Sequence, residues 1–92
     1  MWLRLVRARI YVFGSVQGVG YRFSARIKAR TLNLTGWIKN SLDYVEILVE
    51  GEKGNVEQMV EWCKKGPSTA RVDDIKVDYH DYKGEFEDFR II

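Results

Sequence analysis

The chain has 92 residues, 46% of them hydrophobic and 30% charged, with a formal net charge of +2. That length is expected to form a single domain, 1–92, around one core, and the balance of apolar and charged residues excludes a disordered chain. One cysteine, Cys63, and one histidine, His80, exclude an internal disulfide and a clustered metal-ligand set; the charge falls short of the basic excess that by itself implies nucleic acid. Arginines interrupt residues 1–7 where a signal peptide needs an unbroken apolar stretch, and no span reaches transmembrane length. A cytoplasmic protein without membrane contact is the expectation.

Along the chain, Arg7 to Phe13 alternates Arg7, Arg9 and Tyr11 with Ala8, Ile10 and Val12, the period-2 pattern of a half-buried strand. Tyr21 to Leu34, rich in Arg, Ala, Lys and Leu, predicts a helix. Its apolar residues form two sets: Tyr21, Ala25, Ala29 and Leu32 as the core side, and Phe23, Ile27 and Leu34 nearly opposite, of which Phe23 and Ile27 are able to cover a loop or wall a site. Gly36 breaks this pattern, and Trp37 to Asn40 reads as a short strand. Ser41-Leu42-Asp43 then turns the chain into a strand over Tyr44 to Glu50, with Val45, Ile47 and Val49 on one face and Glu46, Leu48 and Glu50 on the other.

Lys53 to Lys65 places Val56, Met59, Val60 and Cys63 on one stripe of an amphipathic helix, which Gly66-Pro67 ends. Cys63 is read there as a small core residue. From Ala70 onward Ile75, Val77 and Tyr79 alternate with Lys76 and Asp78, while Val72 is out of phase, which predicts a bulge near Asp73-Asp74. A turn at Lys83-Gly84 leads to a last strand carrying Phe89 and Ile91. Two strand–helix–strand units plus a final strand predict an α+β, ferredoxin-like two-layer sandwich: βαββαβ and a C-terminal strand, the sheet largely antiparallel, both helices on one face.

Between the first strand and the first helix lies Gly14-Ser15-Val16-Gln17-Gly18-Val19-Gly20. The glycine spacing is neither the dinucleotide fingerprint nor the P-loop, so nucleoside triphosphate binding is not indicated. A glycine-rich turn entering a helix aims backbone N–H groups and the positive end of the helix dipole at one point, where an anion fits. Read alone, the same turn is more simply a strand-to-helix connection that needs positive backbone dihedrals. Arg22 separates the two readings. A cation in the first helical turn opposes the dipole unless an anion lies between it and the loop, where its guanidinium grips two phosphate oxygens.

Gly14-Ser15-Val16-Gln17-Gly18-Val19-Gly20-Tyr21-Arg22 resembles the acylphosphatase signature, Gly-x-Val-Gln-Gly-Val-x-Phe/Tyr-Arg. Leu34-Thr35-Gly36-Trp37-Ile38-Lys39-Asn40 is similar to the family's Leu-x-Gly-Trp-Val-x-Asn, and Gly66-Pro67-Ser68-Thr69-Ala70-Arg71-Val72 to its Gly-Pro-x-x-Ala-x-Val. Where family members carry a turn with Pro and Gly after the Asn, this chain has the shorter Ser41-Leu42-Asp43-Tyr44. The resemblance implies a ferredoxin-like sandwich that hydrolyses acyl phosphates to a carboxylate and inorganic phosphate, with no metal, cofactor or covalent intermediate. It implies that Arg22 and the N–H groups of Ser15, Val16, Gln17, Gly18, Val19 and Gly20 bind the phosphoryl oxygens, and that the Asn40 amide holds the attacking water. A small-molecule substrate and a monomer are expected.

Other residues read blandly. Asn40 alone would be a turn residue at a strand end, His80 a surface residue, and Asp73 and Asp74, adjacent on a strand, point to opposite faces and form no metal pair. Arg22, Arg26 and Arg30 form a basic helical stripe, and Tyr11 and Phe13 occupy strand positions that RNA-recognition domains use for stacking, which offers a nucleic-acid-binding alternative. Glu46 and Glu50 speak against it by placing negative charge on the sheet. A module that binds acyl or carbamoyl phosphate without useful turnover is the remaining alternative.

Overall fold

In the computed structural model, which describes residues 3–92, alternating stretches become strands and helical-period stretches become helices. The elements run β1 (Leu5–Ser15), α1 (Tyr21–Thr31), β2 (Thr35–Asn40), β3 (Val45–Glu52), α2 (Lys53–Lys65), β4 (Arg71–Asp81) and β5 (Phe89–Ile91). The sheet order is β4-β1-β3-β2-β5. β1 pairs antiparallel with β3 and β4, and β2 antiparallel with β3. This is the expected ferredoxin-like sandwich with split strand–helix–strand units. One face of the sheet supplies Ala8, Ile10, Val12, Ile38, Val45, Ile47 and Val49 to a core completed by Tyr21, Ala25 and Ala29 of α1 and Val56, Met59 and Cys63 of α2.

β5 adds a detail beyond the antiparallel reading: it pairs parallel with β2, Gly36 against Phe89 and Ile38 against Ile91. The chain therefore leaves β4 at one edge of the sheet and returns at the opposite edge. The predicted bulge is present. Phe13 opposes Asp74 and Gly14 opposes Val72, which leaves Asp73 as the extra residue on β4.

α1 ends three residues earlier than its composition suggests. Asn33 takes φ 56°, its N–H donates to the Arg30 carbonyl at 3.1 Å, and the Leu34 N–H donates to the Ala29 carbonyl at 2.9 Å. That double bond pattern around a left-handed residue is the Schellman stop, with an apolar residue just beyond it. Leu34 is accordingly buried after the helix rather than exposed on it, while Phe23 and Ile27 of the same set are exposed.

β3 also departs from the two-faced pattern, because all of Val45 through Glu50 is buried. Its second face is covered by side chains of β1 and by the segment linking β4 to β5. Glu46 accepts a hydrogen bond from Arg9 Nη1 at 2.9 Å, with Lys39 Nζ 3.9 Å away. The Glu50 side chain, wholly inaccessible, accepts from the backbone N–H groups of Lys83 (2.7 Å), Gly84 (3.3 Å) and Glu85 (3.3 Å). Arg7 donates to Glu85 at 2.6 Å, and its buried Nη1, without a hydrogen bond, lies 3.9 Å from Glu50. The two glutamates thus hold the far face together instead of displaying charge.

Replacing Glu50 by Ala strands three backbone donors and a buried guanidinium, and breaking such a buried arrangement by removing one partner costs about 3–5 kcal/mol. Urea unfolding of Glu50→Ala against the parent protein checks this.

Inside the core the Tyr21 hydroxyl donates to the Cys63 carbonyl at 2.9 Å. Burial pushes the Cys63 thiol up to about 12 and, with a smaller contribution from Cys63, raises the Tyr21 phenol above its ordinary value. The folded state therefore holds protons that the unfolded chain releases. The stability this represents is complete below the unfolded thiol's value of about 8.5 and is lost as pH rises toward the folded one. Urea midpoints are expected to fall between pH 9 and pH 12, roughly the window set by those two values, and to fall less steeply in Cys63→Val.

Candidate functional site

β1 ends at Ser15 and α1 begins at Tyr21, so the glycine-rich segment is the loop joining them. Gly18 and Gly20 sit at φ 73° and 79°, and a Cβ at either would meet nothing within 4 Å. Glycine is required there by backbone conformation, not by space. Gly20 is also the N-cap of α1, which has no side-chain cap bond and no acidic residue in its first turn. α2 contrasts: its N-cap Glu52 accepts from the Asn55 N–H at 3.1 Å. The start of α1 is left open to an outside anion.

What holds the loop leaves its N–H groups alone. Among the described residues, no N–H of Val16 through Gly20 donates a hydrogen bond, whereas their side chains and carbonyls are engaged. The Gln17 amide donates to the carbonyls of Ser41 (2.7 Å) and Tyr44 (3.2 Å) in the β2–β3 turn. The Thr69 hydroxyl, from the loop between α2 and β4, donates to the Val19 carbonyl at 2.7 Å, and the Gly20 carbonyl accepts from the Ser24 N–H at 3.0 Å. The Val16 side chain is buried in the core and roots the loop there.

Arg22 follows directly in α1, half-buried, and among the described residues it has no carboxylate partner within salt-bridge distance. A cavity of about 150 Å³ brings Arg22 together with Gly18 and Gly20, walled by Val16, Phe23 and Ile91. Four larger concavities, of about 580, 480, 420 and 350 Å³, lie around Arg9 and His80, around Gln58 and Trp62, around Leu5 and Tyr82, and around Val72 and Asp74, and none is lined by residues of this loop. They contain none of the undonated loop N–H groups.

Asn40 does not line the small cavity; it is the last residue of β2, exposed, in the cross-strand row Asn40–Val45–Val12. Its side chain takes part in no hydrogen bond among the described residues. The row lies on the helix-bearing face, and Ile91 pairs with Ile38, two residues before Asn40. The turn after Asn40 is closed by the Ser41 N–H donating to the Tyr44 carbonyl at 2.8 Å, and the Tyr44 ring packs on Tyr11 (5.3 Å) and Phe13 (5.6 Å). Though short and without Pro or Gly, this turn still turns two carbonyls toward Gln17.

Of the residues singled out from sequence, Val16, Gly18, Gly20 and Arg22 meet in the cavity, while Ser15, Gln17, Val19 and Asn40 do not line it. The structural roles of the Gln17 side chain and of Thr69 were not readable from spacing. Gln17 stands at a fixed position of its matched block, whereas Thr69 falls at a variable position of its own and no signal marks it. Arg30 is paired with Asp88 at 2.9 Å, and Arg26 stacks over Phe23 with its guanidinium carbon 5.1 Å from the ring centroid. The basic stripe is divided among separate neighbours.

A family model described as Acylphosphatase matches residues 8–91. The acylphosphatase of Aeropyrum pernix is 49% identical over 89 residues, covering 95% of this chain and 88% of that protein. The acylphosphatase of Pyrobaculum islandicum is 45% identical over 89 residues, covering 95% and 94%. The crystal structure of acylphosphatase from Bacillus subtilis matches with a TM-score of 0.90 at 36% identity, over 95% of this chain and 98% of that one. With sequence and fold in agreement, the chain belongs to the acylphosphatase family.

Proposed function

We propose that residues 1–92 act as a single acylphosphatase domain that carries out its family's hydrolysis of acyl phosphates by in-line attack of a water held by Asn40. The phosphoryl group is held by Arg22 and the N–H groups of residues 15–20. The observation that carries this reading is that, among the described residues, the N–H groups of Val16 to Gly20 donate no hydrogen bond and adjacent Arg22 has no carboxylate partner. The physical chemistry asks for little more. A carboxylate is a good leaving group, so the barrier falls chiefly through positioning and through neutralising charge on the phosphoryl oxygens. Arg22 supplies a full positive charge with a bidentate fork, and the loop supplies dipoles that need no reorganisation. A substrate phosphoryl oxygen takes the water's proton, so no side-chain base enters. The reaction is metal-independent on this account, because those donors carry the charge a metal would otherwise neutralise.

The products are a carboxylate and inorganic phosphate. We place the protein in the cytoplasm as a monomer acting on a small molecule; no helix among the described residues is long and apolar enough to cross a membrane. Nucleic-acid binding is disfavoured by particular contacts. Tyr11 and Phe13 are packed by Tyr44, and Arg30 is occupied by Asp88.

Benzoyl phosphate should be hydrolysed at neutral pH in the presence of a chelator, and Arg22→Ala and Asn40→Ala should each lower kcat/KM by about 10²- to 10³-fold while circular dichroism stays unchanged. An inactive parent protein, or full activity in both variants, would sink the assignment. Gln17→Ala frees the loop from the turn that follows Asn40 and should lower kcat by about 10- to 100-fold, since small misplacements of reacting groups are costly. Single-turnover kinetics and the melting temperature together separate that loss from unfolding.

A further inference from the structure

Once a phosphoryl group is anchored by Gly18, Gly20 and Arg22, the rest of the same cavity determines what the acyl group meets. That remainder is apolar: Val16, Tyr21, Phe23 and Ile91. Val16 and Tyr21 are 2% and 1% exposed and belong to the core, so they offer almost no free surface. Phe23 is 56% exposed. A single exposed aromatic elsewhere would need no explanation, but this one adjoins Arg22 in the first turn of α1 and lines the cavity that contains the anion cradle. Ile27, one turn further on and 53% exposed, continues the same ridge. Arg26 stacks over the Phe23 ring at 5.1 Å, which covers part of it and fixes its orientation while leaving the remainder open.

An acyl phosphate joins its carbonyl carbon to phosphorus through one bridging oxygen. The acyl group is therefore confined to within a few ångströms of the cradle and must lie along this wall or point into water. We propose that it lies against Phe23, and that this chain consequently favours acyl phosphates whose acyl group is bulky and apolar, aromatic or branched, over small ones. The proposal rests on the phosphoryl-binding reading of the loop. An aromatic acyl group buries apolar surface on the ring and gains an offset or edge contact with it, whereas an acetyl group is too small to reach far along it. Because the acyl group keeps this contact from the bound substrate through the transition state, its loss appears in KM and leaves kcat nearly unchanged.

The test compares benzoyl phosphate with acetyl phosphate on the parent protein, Phe23→Ala and Phe23→Leu. We expect Phe23→Ala to raise KM for benzoyl phosphate about 5- to 10-fold, the range an aromatic contact supports, with KM for acetyl phosphate and both kcat values within about twofold. Phe23→Leu should retain most of the preference. An equal rise for both substrates, or no change for either, overturns the acyl-wall proposal while leaving the hydrolase reading intact. A parent protein that hydrolyses neither substrate overturns both. A preference instead for succinyl phosphate that is lost in Arg26→Ala would assign the wall to the guanidinium and likewise overturn the apolar reading.

Discussion

A loop can offer its N–H groups to an anion only if something other than those N–H groups holds it still. In this protein the restraint falls on the other atoms of the loop: the buried Val16 side chain, the Gln17 amide bonded to Ser41 and Tyr44, and the Val19 carbonyl held by Thr69. Each tie reaches a different part of the fold. Val16 enters the core, Gln17 reaches the β2–β3 turn, and Thr69 comes from the loop between α2 and β4. The site's polarity is thus a property of the whole sandwich. Among the described residues the N–H groups of Val16 to Gly20 donate to no acceptor, and dipoles held in this way need not reorient when charge builds up on a phosphoryl oxygen.

The far side of the sheet solves a different problem. β4 and β5 lie at opposite edges, so the segment between them must cross the outer face and find partners for its own backbone. Glu50 accepts from three successive N–H groups of that segment, and Arg7 joins it to Glu85. β5 then lies beside β2, and the Ile92 N–H donates to the Ile38 carbonyl at 2.9 Å. Ile91, one wall of the small cavity, is carried into place by this crossing. A buried carboxylate remote from the loop thereby helps to shape the loop's surroundings.

Much of this was legible in the sequence, and the failures have physical causes. Period-2 and helical patterns located all seven elements, and the phase slip at Val72 located the bulge opposite Phe13 and Gly14. Glycines and Arg22 marked the loop and helix start that share the small cavity. Leu34 misled because an apolar residue just past a Schellman stop continues the helical spacing of the residues before it. Glu46 and Glu50 misled because their partners come from β1, β2 and the distant 82–88 segment, which no local pattern can announce. The parallel pairing of β5 was hidden for the same reason. Gln17 and Thr69 act through single hydrogen bonds, and a hydrogen bond between side chain and distant carbonyl leaves no periodicity behind.

The strand order also sets when the site comes into being. β1, from which the loop departs, is flanked by β3 and β4, which lie tens of residues further along the chain. Such non-local pairings pay loop-closure entropy before they gain contacts, and they form late and slowly. Gln17 finds its acceptors only after β2 and β3 have closed their turn, and Thr69 reaches Val19 only after β4 has docked. A chain folded only through α1 would lack the ties from the β2–β3 turn and from Thr69 that hold the loop beside Arg22. The ties that fix the loop are therefore complete only when β3 and β4, from the middle and the later part of the sequence, have joined β1.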